Sequence, residues 1–107
     1  MNKIKLFVNG QVAFDFDKDM VLDESHLTFI DKMDSDMKKG IKINGELFSN
    51  PDKLQRAEFT VMNLIRALQQ ENQAIVEASC AYISNRLPEI YEVHVKSHES
   101  GVKVEFQ

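Results

Sequence analysis

Residues 52–87, DKLQRAEFTVMNLIRALQQENQAIVEASCAYISNRL, contain no Gly or Pro, and their apolar phase never breaks. Leu54, Ala57, Val61, Leu64, Ile65, Leu68, Ile75, Val76, Tyr82 and Ile83 share one stripe at helical spacing. Local physics alone writes a single helix of about 54 Å over this stretch. A compact domain of this chain length is only about 34 Å across. Either the helix breaks, or it projects and pairs with another chain. The polar run QQENQ at 69–73 is where a break is expected, near Asn72, because Asn tolerates the left-handed conformation that ends helices.

Two hairpins flank this helical centre. IKLFVNGQVAFDFD, residues 4–17, alternates apolar and polar side chains across Asn9-Gly10. A two-residue loop would pair Leu6 with Ala13 and send Val12, Phe14 and Phe16 to the face opposite Ile4 and Leu6. A three-residue loop, Val8-Asn9-Gly10, puts all five on one face and places Gly10 at a G1 bulge. The three-residue loop is therefore expected. The second hairpin, residues 89–107, alternates Tyr91, Val93 and Val95 with Glu92, His94 and Lys96, then Val102, Val104 and Phe106 with Lys103 and Glu105. One apolar and one charged face suit an antiparallel sheet covered on one side. Pro88 separates this hairpin from the helix before it.

Between the first hairpin and the long stripe, residues 25–39 place His26, Leu27, Phe29, Ile30, Met33 and Met37 on one arc. Ser25 is the expected N-cap and Gly40 the left-handed residue after the helix. IKINGELF, residues 41–48, reads as a turn at Asn44-Gly45 with short extended flanks. The expected architecture is α+β, with one antiparallel sheet built from the two hairpins and covered on one face by about three helices in a two-layer sandwich. The whole chain of 107 residues reads as one such unit.

Composition narrows the functional classes. Net charge is −4, the arginines are Arg56, Arg66 and Arg86, and no basic run appears. Nucleic-acid binding through phosphates is not expected. The single cysteine, Cys80, allows no internal disulfide, and no apolar stretch has the length of a signal peptide or a membrane span. A soluble, cytoplasmic protein is the expectation.

The stretch DKMDSDMKKGIKING, residues 31–45, invites a calcium reading, which its spacing refuses. Counted from Asp34, the fifth loop position is Lys38 and the twelfth Gly45; counted from Asp31, the third is Met33 and the twelfth Lys42. A helix end explains the same residues, with Asp34 and Lys38 as an i,i+4 pair and Gly40 as the stop. Asp15, Asp17 and Asp19 are the weak metal candidates, from a strand face and the loop after it. His26, His94 and His98 lack zinc-ligand spacing with Cys80, which reads as a small buried hydrophobe. No phosphate-binding glycine loop or nucleophile elbow is present.

Glu77 and Lys96 are the weak catalytic candidates, as an acid–base pair if the last helix packs beside the final hairpin. The helix–helix–hairpin ending, with LPEIYEVHVKSHESGVKVEF at residues 87–106, resembles the closing half of the tunnelling fold used by pterin and purine enzymes. The resemblance lies in element order. It implies a small-molecule site between subunits, with Glu77, Tyr82 and Lys96 at the pocket. The leading expectation is a non-enzymatic protein, without cofactor, that associates with itself or with another protein. Phe59, Met62 and Tyr82, at the edges of the long stripe, are the expected partner surface.

Overall fold

The computed structural model describes residues 2–107. Over these residues the chain is α+β, in the order β1 (Lys3–Val8), β2 (Gln11–Asp17), α1 (Glu24–Lys38), β3 (Ile41–Ile43), β4 (Glu46–Phe48), α2 (Lys53–Gln69), α3 (Gln73–Arg86), β5 (Glu92–His98) and β6 (Gly101–Phe106). The long stripe does break where its polar run lies. Glu71, at φ 57°, is the left-handed residue. The Asn72 amide reaches back to the Ala67 carbonyl at 2.9 Å and the Glu71 amide to Leu68, a Schellman closure of α2. Asn72 then starts α3 as its N-cap, accepting from the Ile75 amide. Leu54 and Ile75, placed on the common stripe by a straight-helix count, are exposed once the two segments part.

The N-cap of α1 lies two residues before the expected Ser25. Asp23 is the N-cap, in a reciprocal box with His26, and the Ser25 hydroxyl donates to the Asp23 carboxylate at 2.7 Å. Asp52 and Gln55 form the equivalent box at the start of α2. Gly40 follows α1 with φ 135°, and its amide donates to the Met37 carbonyl.

The hairpins join in one four-stranded sheet, ordered β2-β1-β5-β6, and β3-β4 form a separate two-stranded ribbon. The expected all-antiparallel sheet is corrected here. β1 and β5 are central and parallel, with Leu6 beside Val93 and Phe7 beside His94, so the sheet is mixed. Hairpin patterning fixes which face each strand buries but not which neighbour it takes.

The first turn is also corrected. Asn9 and Gly10 both have positive φ and make a two-residue loop between Val8 and Gln11. The extra residue sits further along β2, as a bulge at Ala13 between the pairs Phe7–Val12 and Leu6–Phe14. Ile4, Leu6, Phe14 and Phe16 therefore do share the inner face, while Val12 is exposed.

The layering is deeper than a simple sandwich. α2 and α3 cover the sheet, with Val61, Leu64, Val76, Cys80 and Ile83 packed on Ile4, Leu6, Val93 and Val95. α1 and the β3-β4 ribbon lie beyond them, where Ile30, Met37, Ile41 and Ile43 meet Ala81 and Tyr82 of α3. α3 is thus buried on two sides. Among the described residues nothing covers the opposite face of the sheet, which carries lysines, acids and the stacked rings of Phe7 and His94. Among the described residues, no helix is long and apolar enough to cross a membrane.

Candidate functional site

α1 and α3 run in the same direction and meet along one seam whose two ends differ. At the C-terminal end, Asp34 of α1 lies 14% exposed among donors from two other helices. The Tyr82 hydroxyl donates to its Oδ1, Arg56 Nε to Oδ1 at 3.1 Å, and Arg86 Nε to Oδ2 at 2.8 Å. Arg86 also bonds Asp31 at 2.6 Å, and Arg56 Nη1 caps the Pro51 carbonyl at 2.8 Å. Burial pushes the Asp34 carboxyl up, but these bonds and the two guanidinium charges outweigh it and hold it below the usual value. Burial and the Asp34 carboxylate push the Tyr82 phenol up to about 12. This end is a polar clamp joining α1, α2 and α3.

At the N-terminal end the helices separate. The side chains that α3 turns toward α1 are small, Ala74, Ala78 and Ala81, and they leave an open groove of about 700 Å³. Its other walls are Phe14 and Phe16 of β2, Met20, Val21 and Leu22 of the β2–α1 loop, and Phe29 and Ile30 of α1. Phe29 is 51% exposed and Val21 95% exposed, so large apolar surface faces water here. Among the described residues lining it, Glu77 is the one carboxylate and no Lys or Arg contributes.

The polar groups at the rim are committed to structure. His26 Nδ1 and the Ser25 hydroxyl both close the α1 cap on Asp23. Cys80, in the groove wall, is 3% exposed, and burial together with the nearby Glu77 charge pushes its thiol up to about 12. A thiol so held is not a thiolate at neutral pH and is a poor nucleophile.

The residues singled out from sequence are scattered. Glu77 is exposed at the groove rim. Lys96 projects from β5 on the uncovered sheet face, since its neighbour Val95 points to the helices. Tyr82 is buried in the clamp, on the side of α3 toward α1, so these three do not converge within the chain. Phe59 and Met62 are half-buried against the same inner cluster as Tyr82, and the three form an internal seam rather than an exposed patch. Asp15 and Asp17 lie on the outer face of β2, where Lys3 stands 3.5 Å from Asp15, and Asp19 accepts from Asn2. Among the described residues, no group of three or more His, Cys, Asp or Glu side chains is placed to hold a metal ion.

Asp34 bonds to Arg86 and Arg56 and not to Lys38, its expected helical partner. The groove escaped the sequence reading, although the spacing of Ala74, Ala78 and Ala81 carries a signal for it. No family model matches the chain, and neither the curated proteins nor the solved structures provide a match.

Proposed function

We infer that the protein works by association and without catalysis, holding an apolar segment of another polypeptide in the groove between α1 and α3. The observation that supports this is the groove itself: contiguous, open and walled mainly by aromatic and aliphatic side chains, with Ser25 and His26 engaged in the α1 cap and Cys80 buried. Its charge indicates the partner's chemistry. Glu77 at the rim and a net charge of −4 favour a segment with apolar anchors and flanking basic side chains. A second copy of this acidic chain is the less suited occupant of the groove, although self-association through it is an outcome the test must separate. No cofactor, metal or nucleic acid enters this reading. The pterin or purine alternative requires a second subunit to bring Lys96 toward Glu77, and no feature of the groove favours it.

The test uses a fluorescent amphipathic peptide of Leu and Lys, with a Leu/Glu peptide of equal length as control. The Leu/Lys peptide should bind and shift amide resonances at residues 25–30 and 74–81, and Phe29→Asp should weaken it at least tenfold. Equal binding of both peptides, or shifts elsewhere on the surface, would overturn the assignment. Light scattering of the unliganded protein separates the self-associated case, which Phe29→Asp would dissociate.

A further inference from the structure

The two edges of the sheet are guarded by different means, and one guard is a single side chain. β2 is bulged at Ala13 and carries Asp15 and Asp17, so pairing two β2 edges would oppose aspartates across a distorted ladder. β6 has no such defect. It pairs with β5 without a register shift from Gly101 to Phe106. Its last pairing, in which Glu92 and Gln107 exchange both backbone bonds at 2.9 Å, sets the alternation along the strand. Lys103 and Glu105 therefore turn their backbone groups to β5, while Val102, Val104 and Phe106 present theirs to the outer edge.

At that edge Asn44, from the turn of the β3-β4 ribbon, acts as a substitute strand. Its Oδ1 accepts from the Val102 amide at 2.8 Å and its Nδ2 donates to the Val102 carbonyl at 2.8 Å. Gly101 makes room for it, since a Cβ there would stand 2.4 Å from the Asn44 side chain. Asn44 reaches this position because it takes φ 53° in the Asn44-Gly45 turn.

Two β6 strands can pair antiparallel in few registers. Centred on Val104, the pairing sets Lys103 opposite Glu105 of the second copy twice, and stacks Val102 on Phe106 along the half-buried inner face. That register is self-complementary in charge and apolar contact. It also needs the Val102 backbone groups, which Asn44 occupies. Centred on Glu105, the pairing leaves Asn44 in place but opposes Glu105 to Glu105. Centred on Lys103, it opposes two lysines and again needs Val102.

We propose that β6 is a latent interface for a second copy of this chain, held closed by the Asn44 side chain on Val102. Removing that side chain opens the Val104-centred register and joins two four-stranded sheets into one. The interface is independent of the α1–α3 groove.

Asn44→Gly tests this, because glycine keeps the positive-φ turn while deleting the amide. By light scattering, the wild-type chain should have the 12.3 kDa mass of a monomer, and Asn44→Gly twice that. Adding Lys103→Glu to Asn44→Gly should restore the monomer, because a carboxylate then faces Glu105 of the second copy where an ammonium did before. A monomeric, folded Asn44→Gly protein overturns the proposal, and so does a double variant that dimerises equally well. If Asn44→Gly fails to fold, Asn44→Asp serves instead. It keeps the turn but loses the donor to the Val102 carbonyl, and must then show a concentration-dependent mass that Lys103→Glu abolishes; without it the proposal fails.

Discussion

The two ends of the α1–α3 seam are built from opposite materials. At one end a carboxylate on α1 is enclosed by a phenol and two guanidinium groups from α2 and α3. At the other, Ala74 and Ala78 of α3 and the half-exposed Phe29 of α1 border open space, with Ile30 and Ala81 buried together beneath it. The clamp ties α1 to α2 and α3 at one end of the seam. Toward the other, the buried pair Ile30 and Ala81 is the last packing between α1 and α3 before the groove opens. A groove closed by its own side chains would have no room for a partner. One held open by contacts elsewhere keeps its apolar wall exposed, at the cost of surface that water wets poorly.

Breaking the clamp gives the largest expected effect. Asp34→Asn should destabilise the protein by roughly 2–3 kcal/mol at neutral pH, because it removes the charge that Arg56 and Arg86 share. Urea unfolding measures this. The same site gives an acid dependence of definite sign. The Asp34 carboxyl is held below 3.8 in the folded protein, so its stabilisation is fully present above that ordinary value and is lost as pH falls through the folded one. Asp34→Asn should remove that component from the acid limb of the stability curve. An unchanged acid limb would mean that the clamp does not hold α1.

Tyr82→Phe gives a smaller loss, about 1–1.5 kcal/mol, because the ring still fills its buried site and both arginines still bond Asp34. A cost as large as that of Asp34→Asn would place the weight of the clamp on the phenol and not on the ion pairs.

The sequence discloses these two ends unequally, and the reasons are physical. The break between α2 and α3 is legible because an unbroken helix would be longer than the domain. Its left-handed residue is not. Asn72 is the better residue for that conformation, yet Glu71 adopts it and Asn72 caps the next helix. The clamp is half legible: Asp34 lies between Ile30 and Met37 on the buried arc of α1, but its partners come from distant helices that periodicity cannot orient. The groove depends on how far two helices diverge, of which the spacing of Ala74, Ala78 and Ala81 is only a partial local trace. The parallel pairing of β1 with β5 is hidden for a similar reason. Alternation along each strand is satisfied by either neighbour and by either direction. Phe59 and Met62 sit on the flank of the helical stripe, and the β3-β4 ribbon with α1 covers a surface that would otherwise be exposed.

Glu71→Gly probes the joint that positions the groove end of α3. A non-glycine residue at φ 57° carries steric strain that glycine lacks. The substitution should stabilise the protein by about 0.5–1 kcal/mol, after allowing for the greater freedom of glycine in the unfolded chain. A loss of stability would show that the Glu71 side chain contributes to the joint beyond its backbone conformation.

The smallest expected effect belongs to the groove rim. Val21 is 95% exposed, so Val21→Ser should change stability by no more than about 0.5 kcal/mol in either direction. The same substitution should weaken binding of the Leu/Lys peptide, because Val21 stands in the groove wall beside Met20 and Leu22. The two readouts then separate the ends of the seam. At the clamp a substitution lowers stability, and the groove suffers only through the displaced helix. At the rim it lowers binding and leaves the unfolding curve in place. A Val21→Ser protein that unfolds more easily but binds as well as before would assign the rim to the core and remove the distinction between the two ends.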